Sequence, residues 1–137
     1  MHARGSLEPG TVADARERYD ALGSTAQVLV REVAKAMGLD ESEYDRRVTP
    51  EVIETAREVI FAADLRVRVG TREEYEDWLD DRDYEVTERG NPNVACVAWH
   101  AAPFAGEVVA ATFEHKEEAA VETLRRQALG RVYRDVL

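Results

Sequence analysis

The 137-residue sequence predicts an α+β fold on three observations. Apolar residues recur at helical spacing from residue 11 to residue 64. The spacing switches to two at Leu65. No Ser/Gly/Pro-rich linker separates the two regimes, because Asp64 runs directly into Leu65. The expected architecture is three N-terminal helices followed by a four-stranded, mainly antiparallel sheet, in the order strand-helix-strand-strand-strand-helix. Residues 1–10, polar and bearing Gly and Pro, read as a disordered tail. Residues 11–137 read as a single domain, with a helical part at 11–64 and a mixed part at 65–137.

Thr11 caps the first helix, over 12–22, with Val12, Ala15, Tyr19 and Leu22 on one face. Gly23-Ser24 ends it. Ser24 or Thr25 starts a second helix that runs to Met37 and stops at Gly38. Its residues Ala26, Val28, Leu29, Val30, Val33, Ala34, Ala36 and Met37 are apolar nearly all round, which predicts the most buried helix of the chain. "LDESEYDRRV" suits a short helix capped by Asp40. Thr49-Pro50 opens the third main helix, which runs to Asp64.

"LRVRV" alternates Leu65, Val67 and Val69 with arginines, as a half-buried strand does. "GTREEYEDWL" begins a helix with a capping box of Thr71 and Glu74. "YEVTE" follows as a strand, "GNPN" as a turn, and "VACVAWHA" as a central strand apolar on both faces. "EVVAATFE" is its hairpin partner across Pro103 to Gly106. A long helix closes the chain over 116–135, and Gly130 within it suggests close packing there.

Composition narrows the function classes. Apolar residues make up 45% of the chain, too many for a disordered protein. A single cysteine forms no internal disulfide. No secretory h-region and no apolar run of membrane-spanning length is present, which points to a cytoplasmic protein. There are 28 acidic side chains against 18 basic, a net charge of −10. Among the basic residues only Lys35 and Lys116 are lysines. The acids are spread along the chain and not gathered in a tail. That distribution fits a cytosol at molar salt, where the Debye length shrinks to about 3 Å and self-repulsion is screened. High salt is then required for folding.

"CVAWHAAPFAG" holds the only cysteine and one of three histidines. On a strand, Cys96 and His100 share a face but stand about 13 Å apart, too far to share a metal or a proton. His100 alone is the candidate polar site residue, in a pocket with Trp99, Phe104 and Glu107. "HKEE" at His115 lacks the zinc hydrolase pattern of two histidines and a glutamate. "DDRDYE" fails as a calcium loop, because Val86 and Pro92 stand where Gly and Glu are needed. "VGTREE" has one glycine, no lysine and two first-turn glutamates that repel an anion. No cofactor fingerprint, metal set or nucleophile elbow is present.

"VREVAKAMGLDESEYDRRV" resembles a DNA-binding helix-turn-helix over residues 26–48. Its would-be recognition helix carries Asp40, Glu41, Glu43 and Asp45, which oppose phosphates, and only Arg46 and Arg47 compensate. Nucleic acid is accordingly an unfavoured partner. "LRRQALGRVYRDVL" sets Arg125, Arg126, Arg131 and Arg134 on one helix, a candidate interaction face in so acidic a chain.

The segments "ARERYDALGSTAQVLVREVAKAMG", "GTREEYEDW", "WHAAPFAGEVVAATF" and "EEAAVETLRRQALGRVYR" resemble a family of uncharacterised haloarchaeal proteins. The resemblance covers most of the chain from residue 14 onwards. It implies a halophilic, cytosolic origin and no assigned activity. Three functional expectations follow. The first is a non-catalytic protein-interaction or self-associating domain, with a protein partner or a homodimer. The second is a small-molecule enzyme or ligand-binding domain using the pocket at His100. The third is a DNA-binding regulator through residues 26–48.

Overall fold

Helix signals set the first half of the chain. In the computed structural model, which describes residues 1–137, Thr11 caps α1 (Val12–Ala21) by accepting from the Asp14 N–H at 3.0 Å. The chain then runs into α2 (Gly23–Ala36) with a single non-helical residue between them, Leu22. The expected break at Gly23-Ser24 is therefore not there, and neither Ser24 nor Thr25 caps. The other end is as expected. Gly38 N–H donates to the Lys35 carbonyl and Leu39 N–H to the Ala34 carbonyl, a closed Schellman turn. Asp40 and Glu43 form a reciprocal capping box on α3 (Glu41–Arg47). Thr49 caps α4 (Pro50–Ala63).

Alternation then builds a five-stranded mixed sheet in the order β1-β2-β4-β5-β3. Its strands are β1 (His2–Arg4), β2 (Val67–Thr71), β3 (Glu85–Arg89), β4 (Cys96–Ala102) and β5 (Glu107–Phe113). The helix α5 (Arg72–Leu79) joins β2 to β3. The expectation of α+β architecture holds, and the details differ in four ways. Four helices precede β2 in place of the expected three, because the short α3 forms between α2 and α4. There is a fifth strand, there is a parallel pair, and the last helix is shorter.

The extra strand lies in the segment expected to be a disordered tail. His2–Arg4 pair antiparallel with Val67–Val69. Ser6 and Leu7 N–H groups donate to the Asp64 carbonyl, and Arg66 N–H to the Leu7 carbonyl. Gly5 permits this approach: a Cβ there would lie 2.5 Å from the Leu65 carbonyl oxygen. His2, Ala3 and Arg4 are too short a run to carry a strand signal, and the neighbouring strand supplies the order.

The β4–β5 hairpin forms across Pro103–Ala105, as its sequence predicts. The strand β3 does not sit beside β4, its successor in the chain. It crosses to the outer side of β5 and pairs with it in parallel, Val86 opposite Val108 and Glu88 opposite Ala110. Finally, α6 (Glu117–Ala128) ends before Gly130. A π turn over Leu129–Tyr133 follows, in which Arg134 N–H donates to the Leu129 carbonyl at 2.8 Å. Gly130 makes no close packing. A Cβ there would meet only Arg134 Nη1, at an ordinary 3.6 Å.

The sheet has two unequal faces. Alternation in β4 sends Ala98, His100 and Ala102 to one and Val97, Trp99 and Ala101 to the other. On the first face α1, α4 and α6 close a core around Phe61, Leu65, Leu124 and Tyr133. On the second, the short α5 covers a smaller cluster of Tyr75, Trp99, Val97 and Val108, edged by Trp78 and Tyr84.

The largest correction concerns α2. It is not the most buried helix. Only Ala26 and Ala34 are buried, whereas Val28, Leu29, Val33 and Met37 are roughly half exposed. This helix packs mainly on α4 and α1, in an outer layer. An all-round apolar helix with neighbours on one side only must leave its other side bare.

Candidate functional site

His100 is the residue that the sequence singles out, and its surroundings are unambiguous. Strand β4 holds it in the middle of the sheet with no exposed surface. Its Nδ1 lies 2.7 Å from the Arg66 carbonyl oxygen, which can only accept, so Nδ1 carries a proton. In the neutral ring Nε2 is then an acceptor, and it receives the Tyr133 hydroxyl at 2.6 Å. Burial pushes the His100 pKa down, against a smaller upward pull from the Arg66 hydrogen bond. Burial also pushes the Tyr133 hydroxyl pKa up. Both ring nitrogens are engaged and neither faces a cavity. The imidazole is thus a hydrogen-bonded strut between the sheet and the chain after α6.

The other members of the expected pocket do not gather around it. Trp99 points to the opposite face of the sheet, against Tyr75 at 5.0 Å between ring centroids. Phe104 packs on Tyr133, at 5.7 Å between ring centroids, and makes no hydrogen bond to His100. Glu107 pairs with Arg131 at 3.6 Å and makes no hydrogen bond to His100. Adjacent residues on a strand must diverge, so Trp99 and His100 could not have lined one pocket. Cys96 remains a free, half-buried thiol.

The four arginines do not form one face either. Arg125 donates from Nε to the Leu65 carbonyl at 3.0 Å, and burial lowers its pKa. Arg131 reaches Glu107, and Arg134 reaches Glu58 of α4 at 3.4 Å. Arg126 alone is exposed and unpaired. Three of the four therefore fasten the last part of the chain to Leu65 in the link before β2, to β5 and to α4. In the segment resembling a helix-turn-helix, α2 and α3 meet at the Gly38 turn. The first turn of α3 presents Glu41 and Glu43.

What sequence reasoning missed is an outer apolar surface. Of the eight exposed large hydrophobic residues, six lie on α2 and α4: Val28, Leu29, Val33, Met37, Val52 and Val59. On α2, Leu29, Val33 and Met37 stand at i, i+4 and i+8, a single stripe. On α4, Val52 and Val59 are two turns apart and flank half-buried Ile53, Ala56 and Ile60. The signal was in the sequence as an α2 with too many apolar positions. Periodicity alone places those positions in the core, because within one chain nothing else covers an apolar face.

No group of His, Cys, Asp or Glu side chains is arranged to hold a metal ion. No helix is long and apolar enough to cross a membrane. A family model described as a family of unknown function (DUF5809) matches residues 6–134. No curated protein and no solved structure matches the chain.

Proposed function

The chain belongs to this family of unknown function, and on that premise we propose that it is a non-catalytic domain that self-associates through the outer face of α2 and α4. One observation carries the reading: the apolar surface of the molecule is concentrated on these two helices. Charge favours a second copy as the occupant. A net charge of −10 makes most surfaces of two copies repel. The helix α2 is the exception, with Arg31 and Lys35 against the single acid Glu32. In α4, Glu51 is free of ion pairs, whereas Glu54 and Glu58 already pair with Arg57 and Arg134 of the same chain. A two-fold arrangement lays α2 of each copy along α4 of its partner, so the apolar stripes meet and the rims have opposite sign.

Sedimentation equilibrium in concentrated salt is expected to show a dimer. Val33→Asp puts a carboxylate into the stripe at a position already 49% exposed in one chain. It is expected to give a folded monomer with unchanged circular dichroism. A monomeric wild type, or a Val33→Asp dimer of undiminished strength, overturns the reading.

We further propose that the chain works in a halophilic cytosol. The support is the acidic excess and its even distribution along the chain. Transfer from molar to low salt is expected to diminish the helical circular dichroism signal. A signal that does not change with salt removes this part of the reading.

A further inference from the structure

Between the outer strand β3 and α6 runs an open groove of about 330 Å³. Its helical wall is a stripe of α6, with Lys116, Thr123 and Gln127 on it and small residues between. Its sheet wall is the end of β3, Arg89 and Gly90, against Thr112 of β5. Gly90 is needed for this wall, because a Cβ there would lie 2.2 Å from Thr112 Oγ1.

The groove is where the charge of the chain sorts itself. Its lining holds two cations and no carboxylate, in a sequence with 28 acidic side chains and 18 basic. Neither Arg89 nor Lys116 takes part in any ion pair. Lys116 stands at the border, since it also lines a neighbouring hollow that carries Glu117, Glu118 and Glu122. Gln127 also lines the groove, and its amide oxygen has no hydrogen-bond partner; turned into the groove, it supplies an acceptor. Two free cations and one free acceptor describe a ligand with negative charge and a hydrogen-bond donor.

We propose that this groove binds a small organic anion, a phosphomonoester or a dicarboxylate, that also carries a hydroxyl or amine. Arg89 and Lys116 hold the anionic groups from the two walls, and the donor meets Gln127 Oε1. The volume suits a small metabolite, at the lower end of the usual ligand range of about 300–1,000 Å³. At molar salt, attraction between bare charges is screened within about 3 Å. Affinity in that medium rests on direct hydrogen bonds, which guanidinium, ammonium and amide groups all supply.

The test is a titration of the full chain in concentrated potassium chloride, followed by backbone amide NMR. The probes are inorganic phosphate, glycerol 3-phosphate, succinate and malate. Malate or glycerol 3-phosphate is expected to give saturable shifts at Arg89, Gly90, Thr112 and the groove side of α6. Arg89→Ala and Lys116→Ala are each expected to weaken binding about tenfold. Gln127→Leu removes the preference for malate over succinate and leaves succinate binding in place. The spectrum of each variant reports its own folding, and every variant lies outside α2 and α4. Three results overturn the proposal. One is no saturable shift with any probe. Another is binding indifferent to Arg89→Ala and Lys116→Ala. The third is inorganic phosphate binding as tightly as the organic anions.

Discussion

Trp99 and His100 are neighbours on β4, yet they belong to two differently finished faces. His100 enters the larger core, and each of its ring nitrogens has a partner. Trp99 enters the smaller one under α5, where its Nε1 and the nearby Tyr75 hydroxyl are buried with no hydrogen-bond partner. Three helices and the chain end close the first face, so carbonyls and hydroxyls are at hand for a buried polar group. A two-turn helix closes the second, and what surrounds Trp99 is mostly side-chain carbon. The difference teaches that burial alone does not set the worth of a polar atom. The partner that the covering element brings decides it.

The same substitution on the two faces breaks or sharpens this contrast. Tyr133→Phe removes the donor to His100 Nε2 and leaves that nitrogen buried and unsatisfied. A loss of about 1–3 kcal/mol in chemical denaturation is expected. A loss within experimental error would show that the His100–Tyr133 bond contributes nothing net.

Proton linkage gives the next largest effect. Folding lowers the His100 pKa from its ordinary 6.5, so below pH 6.5 the unfolded chain binds a proton that the folded chain resists. Stability from this group is complete above pH 6.5 and declines as the pH falls towards the depressed value. Folding raises the Tyr133 pKa from 10.0, and stability from that group is lost as the pH climbs past 10.0. Tyr75, pushed by burial up to about 12, adds to the alkaline loss. Denaturation midpoints should therefore form a plateau between these limits, and His100→Gln should flatten the first part of the acid limb. An acid limb unaltered by His100→Gln would assign it to the carboxylates alone.

Tyr75→Phe is the smallest effect and the most telling. Its hydroxyl has no partner to lose, so removal is expected to be neutral or to stabilise by up to about 1 kcal/mol. A destabilisation equal to that of Tyr133→Phe would mean that the second face is satisfied after all, through a bound water.

Local chemistry was readable wherever the residues that decide it are close in the chain. The caps Thr11, Asp40, Thr49 and Thr71 and the Pro103–Gly106 hairpin are all settled within a few residues. The His100 pocket was half legible. Period two placed His100 at a strand and separated it from Cys96. That same period, applied to Trp99, excludes a shared pocket. The partner Tyr133 was out of reach, because 33 residues and a π turn separate it from His100.

By itself, the sequence determined the α+β class, the starts of α1, α3, α4 and α5, the alternation of the sheet and the acidic character. Each depends on short-range spacing or on a sum over residues. Tertiary structure alone decided the rest. It moved β3 outside β5, drew His2–Arg4 into the sheet, and set α2 in an outer layer. It also brought Arg89 and Lys116 to one groove. All four outcomes turn on which surfaces lie opposite one another. Periodicity says that a helix has an apolar face, and only packing says whether anything is there to cover it.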